Sequence, residues 1–185
     1  VFITEITDPQ NSTDAGRYVE LYNAGEDCDW SSRDSKWALV RWTNANADPT
    51  SSSLKYLEGI ILEDGFFIVC NDADKFSATY GLTCDMDIGT GGAADSNGDD
   101  NIALIFEDAD GTVDVGGVTF RVMDIFGVPG EDGSGTGHEF EDGRAERAEG
   151  VTEGSQVWNE AEWNIDNDSG GGDGNQYAPE GYDPG

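Results

Sequence analysis

The residues best placed to do chemistry in this chain are oxygen donors. In Asp95-Ser96-Asn97-Gly98-Asp99-Asp100, the residues Asp95, Asn97 and Asp99 alternate as the ligands of a Ca2+ loop do. The EF-hand pattern is not met: Asp100 stands where that loop needs glycine, and Phe106 where it needs a bidentate glutamate. Asp108, Asp110 and Asp114 repeat the theme, but short acidic side chains also close ordinary turns on their own backbone. Ca2+ at Asp95, Asn97 and Asp99 is thus an expectation that stands beside plain turn chemistry.

Aromatic residues offer a second chemistry, stacking on sugar rings. Trp37 and Trp42 read as core from their strand context, whereas Trp30, Trp158 and Trp163 lie beside loops. Packing of a C-terminal segment would equally use Trp158 and Trp163, and Arg144 and Arg147 read most simply as partners of the abundant carboxylates. The single histidine, His138, sits in a glycine-rich stretch with no nucleophile at a known spacing. The sequence holds no G-x-S-x-G elbow, P-loop, dinucleotide fingerprint or zinc-type Cys/His cluster. With 39 acidic residues every carboxylate pairing exists, so such pairs carry no information about glycoside chemistry. The expectation is a protein that is not an enzyme.

Modification chemistry adds three features. The sequons Asn11-Ser12-Thr13 and Asn167-Asp168-Ser169 both fall in expected loops, where a glycosyltransferase would reach them. Cys70 and Cys84 flank a short segment, and a bond between them would close a loop worth about 3 kcal/mol. Three cysteines allow three pairings, and three reduced thiols are the alternative. Cys28 would then be left over, free and buried or joined to another molecule.

The background is 185 residues with 39 acidic and 9 basic side chains, a formal charge of −30. That sign opposes nucleic-acid binding, which draws its affinity from Lys and Arg on phosphates, and it disfavours anionic membranes. No stretch approaches the ~20 apolar residues of a membrane helix. The chain opens directly on a strand, which fits a secreted protein whose leader has gone, and fits any trimmed chain equally.

Period-two patterning supplies the elements that must position these groups. In Arg17-Tyr18-Val19-Glu20-Leu21-Tyr22-Asn23, Val19 and Leu21 point one way and Tyr18, Glu20 and Tyr22 the other, giving one buried and one half-buried face. Residues 1–6 form the strand before it. Residues 37–42 are apolar on both sides, as in a sheet covered on both faces. Residues 56–62 and 66–70 read as a hairpin around Glu63-Asp64-Gly65, and 101–106 and 112–115 as another over Asp108-Ala109-Asp110-Gly111, with a further strand over 118–125. Asp72 caps a helix over 73–80 in which Phe76 meets Tyr80, and Gly81 stops it. Asn159-Glu160-Ala161-Glu162 resembles a capping box and predicts one helical turn before Trp163.

Several of these phrases resemble the lamin-tail-domain family in its secreted microbial and algal form: Ile3-Thr4-Glu5-Ile6, Tyr18-Val19-Glu20-Leu21-Tyr22-Asn23-Ala24-Gly25, Leu57-Glu58-Gly59-Ile60-Ile61-Leu62, and Asn97-Gly98-Asp99-Asp100-Asn101-Ile102-Ala103-Leu104. The resemblance spans roughly residues 1–130 and implies an all-β, immunoglobulin-like antiparallel sandwich without a shared catalytic site. An Arg-containing and a Trp-containing phrase follow the sandwich in secreted relatives, as they do here. The expected organisation is a sandwich over 1–126 with one short helix, then a Gly/Asp-rich extension over 127–185 packing on it or on a neighbouring subunit.

The functional expectation is a non-enzymatic extracellular structural protein that assembles with copies of itself into a filament or surface layer. A leading strand able to pair in trans, the odd Cys28 and the long arm motivate it. The alternative is a Ca2+-assisted glycan- or surface-binding module using Asp95, Asn97 and Asp99 for the metal and Trp158 or Trp163 for sugar. A scaffold module cut from a larger chain is a third.

Overall fold

The computed structural model describes residues 1–10, 15–31, 36–167 and 184. Its strands are β1 (Phe2–Thr7), β2 (Tyr18–Tyr22), β3 (Cys28–Asp29), β4 (Trp37–Trp42), β5 (Lys55–Tyr56), β6 (Ile60–Ile61), β7 (Phe66–Cys70), β8 (Met86–Asp87), β9 (Asn101–Glu107), β10 (Val113–Val115), β11 (Val118–Phe126), β12 (Arg144–Arg147) and β13 (Trp163–Asp166), with helix α1 (Ala73–Tyr80) between β7 and β8. They form a six-stranded sheet, β13-β12-β1-β2-β7-β8, a five-stranded sheet, β10-β11-β9-β4-β5, and a two-stranded ribbon, β3-β6. The fold is an all-β sandwich.

Alternation decides which side of each strand is buried. Ile3, Val19, Leu21 and Val69 of the larger sheet meet Leu39, Ile102, Leu104 and Phe126 of the smaller one in the main core. The intervening residues Ala38, Val40, Ala103 and Ile105 are buried too, in a second cluster on the far side of the five-stranded sheet. That sheet covers its own outer face by curling: Tyr56 on edge strand β5 reaches Phe120 of β11, ring centroids 6.1 Å apart, although β9 and β4 stand between them. The two-sided apolar run at 37–42 is explained by this curl.

The helix forms as its caps dictate. The Asp72 side chain accepts from the Lys75 N–H, and Gly81 adopts φ 71°, leaving the helix in the left-handed region. Phe76 and Tyr80 lie 4.8 Å apart and both meet Tyr18 of β2 edge-on. Gly16 permits this docking, since a Cβ there would stand 2.6 Å from the Phe76 nitrogen. Cys70 and Cys84 are disulfide-bonded in the same cluster, beside Ile68.

Four expectations are corrected. The 56–62/66–70 hairpin does not form: β6 pairs with β3, and β7 pairs with β2 and β8. The 101–106/112–115 hairpin does not form either, because β11 lies between β9 and β10 and the tight turn is Gly116-Gly117. The Tyr18 face of β2 is not half-buried at its centre: α1 packs on Tyr18, and both Tyr18 and Glu20 are buried. Finally, β1 has no free edge to offer in trans. β2 occupies one side and β12 the other, since the chain beyond residue 126 returns to the sheet as β12 and β13. The glycine-rich excursion before β12 is pinned by Phe140, fully buried in the main core, whose N–H donates to the Gly98 carbonyl.

Candidate functional site

The outer face of the six-stranded sheet carries side chains in rows that run across the strands. A β-bulge creates them. Phe2 faces Tyr22 and Ile3 faces Leu21, but Glu5 faces Glu20 and Ile6 faces Val19, so Thr4 is the extra residue. The bulge returns Ile6 to the core with Ile3 and turns Glu5 outward. Glu146 of β12 stands opposite Glu5 on its other side. Three glutamates, Glu146, Glu5 and Glu20, therefore lie abreast on three adjacent strands about 5 Å apart.

A second row lies beside the first. Phe2, Tyr22 and Phe66 are in register on β1, β2 and β7, with ring centroids 5.7 Å and 5.0 Å apart. Glu20 and Tyr22 are two residues apart on one strand, which separates the rows by about 7 Å. The loop 148–152 walls the far side, enclosing an open groove of about 920 Å³. Phe66 is 44% exposed at its mouth, and the Tyr22 hydroxyl donates to Asp64 at 3.0 Å on the rim.

The electrostatics of the floor are unusual. Like charges placed directly opposite one another destabilise a sheet, yet Glu5 and Glu20 are only 3% and 5% exposed. Glu5 accepts from the Tyr18 hydroxyl at 2.6 Å and from Arg144 at 3.0 Å, and Glu20 accepts from the Thr4 hydroxyl at 2.7 Å. Arg144 also reaches Glu146 at 3.4 Å. Burial, reinforced by the Glu20 charge, still pushes the Glu5 carboxyl up to about 7 against the pull of Tyr18 and Arg144. Behind the row, Arg147 is committed elsewhere: it pairs with Asp124 and Glu162, donates to the Ile3 carbonyl and stacks on Trp163 at 4.0 Å.

The residues singled out by the sequence lie apart from this groove. Asp95 accepts from Arg17 at 3.1 Å, Asn71 at 2.9 Å and the Gly91 N–H at 2.8 Å, while Asp99 accepts from Asn44 at 2.7 Å. Asn97 is exposed and hydrogen-bonds to Asp99. The carboxylates of Asp95 and Asp99 thus serve different partners, and among the described residues no group of three His, Cys, Asp or Glu is placed to hold a metal ion. Trp30 and Trp163 are buried in the main core, and Trp158 is partly buried against it. His138 is buried against Phe126 and Trp158; the Thr136 hydroxyl gives its proton to the Gly133 carbonyl at 2.6 Å, so it accepts from His138 Nδ1 at 2.9 Å. Cys28 is half-buried, unpaired and packed against the core. Asn167 is exposed and donates to Glu139 at 2.9 Å. Asn11, and Asp168 and Ser169 of the second sequon, lie outside the described residues.

The groove escaped sequence reasoning because its members come from β1, β2, β7 and β12. One local signal was present: Ile3 and Ile6 are both apolar at a spacing of three, which a regular strand cannot bury on one face. No protein-family model, no curated protein and no solved structure matches the chain.

Proposed function

We propose that the chain is a non-enzymatic extracellular module of lamin-tail type that holds a partner molecule in the outer-face groove. The observation that carries this reading is the pairing of two buried carboxyl groups, Glu5 and Glu20, with the exposed Phe66 ring and the part-exposed Tyr22 ring. Ordinary outer faces of antiparallel sheets scatter their charges and leave them hydrated. Here three carboxyl groups are gathered, two are dehydrated, and Tyr18, Thr4 and Arg144 hold them in place. The Cys70–Cys84 disulfide fits an oxidising compartment, and among the described residues no helix is long and apolar enough to cross a membrane.

Hydrogen–deuterium exchange of the purified protein, with and without neutral glycans, acidic polymers and basic polymers, tests the proposal. Binding is expected to protect residues 2–5, 20–24, 64–66 and 146–152 with at least one class. Protection confined to other surfaces would defeat it.

Self-assembly is a second reading, favoured by one observation: Ile60 and Leu62, on and beside the β3-β6 ribbon, are 55% and 60% exposed. Sedimentation without added partner separates the two. A mass that grows with concentration, and stops growing in an Ile60→Ser/Leu62→Ser variant, would favour assembly.

A further inference from the structure

Resting on the reading of the groove as a binding site, we infer that its occupant is an extended basic polypeptide segment whose lysine and arginine side chains lie across the glutamate and aromatic rows. Five carboxylates line the groove, those of Glu5, Glu20, Asp64, Glu146 and Glu149, against two cations, Arg147 in the lining and Arg144, which pairs with Glu5 and Glu146. Arg147 is already paired with Asp124 and Glu162, so it neutralises nothing arriving from outside. A side-chain cation above Glu20 or Glu146 would gain a charge-assisted contact, and it would lie within reach of the Tyr22 and Phe66 rings, whose faces attract cations.

The arrangement favours a chain with spaced charges over other occupants. Glu146 and Glu20 are two strand spacings apart, about 10 Å, and no single small ion spans that distance. Alternate side chains of an extended peptide, about 7 Å apart on long flexible stems, place two cations along the row. A neutral glycan would use the rings but bring no cation to the glutamates. The protein's own residues 168–185 contain no Lys or Arg, and a second copy brings another −30, so neither supplies the row of cations that such an occupant needs. Every arginine among the described residues is engaged in an ion pair, so acid excess is what the surface presents.

Fluorescence anisotropy with a labelled peptide of alternating lysine and alanine tests the inference, using spermine as a non-peptide polycation and a Glu/Ala peptide as the opposite charge. Because a chain of −30 attracts any polycation weakly, the decisive comparison is between variants of equal net charge. Glu146→Gln is expected to weaken peptide binding about five- to tenfold, and Asp110→Asn, an exposed control far from the groove, less than twofold. Phe66→Ala, which leaves the charge unchanged, is expected to cost about three- to fivefold. Equal losses for Glu146→Gln and Asp110→Asn, or no loss for Phe66→Ala, would overturn the inference in favour of bulk attraction. Spermine binding as tightly as the peptide, with the same variant pattern, would overturn the polypeptide assignment. Groove protection in exchange by a glycan but not by the peptide would overturn the inference and leave the binding-site reading standing. Protection by neither would remove both.

Discussion

Two buried acids of this sandwich, Asp124 and Glu5, meet arginines from the same strand and end in opposite conditions. Both follow a β-bulge: the register of β11 shifts between Val122 and Asp124, and that of β1 between Ile3 and Glu5. The first bulge turns Asp124 in between the sheets, where it accepts from the Ile3 N–H, the Ser155 N–H and Arg147. The second turns Glu5 out, where Tyr18 and Arg144 donate to it but Glu20 and Glu146 flank it. Asp124 has donors on both oxygens and serves as a structural tie between the layers. Glu5 shares its arginine with a neighbour of like charge. Both oxygens of Glu5 carry donors as well, Oε2 from Tyr18 and Oε1 from Arg144, so the difference between the two acids is the like-charged glutamate on either side of Glu5.

The largest effect is expected where that contrast is broken on the saturated side. Asp124→Ala strands Arg147 and two backbone donors in the interior, and urea titration is expected to show a loss of about 3–5 kcal/mol. A loss below about 1 kcal/mol would mean that Asp124 is not the tie described. Next comes the support beneath the row. Opening the 14-residue Cys70–Cys84 span with a Cys70→Ala/Cys84→Ala pair is expected to cost about 3 kcal/mol and to loosen α1 over Tyr18, read as faster amide exchange at 73–80.

Glu5 gives a smaller, pH-dependent effect. Its carboxyl titrates at about 7 when folded against an ordinary 4.5, so the folded state holds the proton more tightly. The resulting stability is complete below about pH 4.5 and is lost as pH rises through 7. Asp8, pushed up to about 6 by burial, acts in the same direction at lower pH, while His138, held below 6.5 by burial, opposes both. Glu5→Gln isolates the Glu5 share: relative to the native protein, the variant is expected to gain on the order of 2 kcal/mol between pH 5 and pH 8 in thermal melts. A gap between the two that does not change with pH would show that the row is not strained. The smallest stability effect is expected at the mouth of the groove, where Phe66→Ala stays within about 0.5 kcal/mol of the native protein while weakening ligand binding.

Much of the local structure was legible. The Asp72 cap, the Phe76–Tyr80 contact and the Gly81 stop are short-range chemistry, and the helix follows them. The Asn159 turn likewise forms at Glu160–Glu162, with the Asn159 side chain accepting from the Ala161 N–H. The hairpins over 56–70 and 101–115 were misread for one reason. Turn residues report that the chain reverses but not which strand lies beside it, and here β11 and β3 took the places that sequence neighbours were expected to fill. Trp30 was misread similarly: it follows a two-residue strand, yet its ring packs 5.1 Å from Phe67 in the core. The groove lay further from reach. Glu5, Glu20 and Glu146 are unremarkable among 39 acids until β12 closes on β1 and sets them abreast.

The sequence by itself determined the β class, the helix and its ends, the strongly acidic net charge, and the core-seeking side of the strands without a bulge. These follow from period, caps and composition, which act over a few residues or over the whole chain at once. The tertiary structure alone decided strand order, the bulge-directed turn of Asp124 inward and Glu5 outward, and the meeting of two rows across β12, β1, β2 and β7. Those depend on which distant segments satisfy each other's backbone hydrogen bonds, and no local pattern encodes that choice.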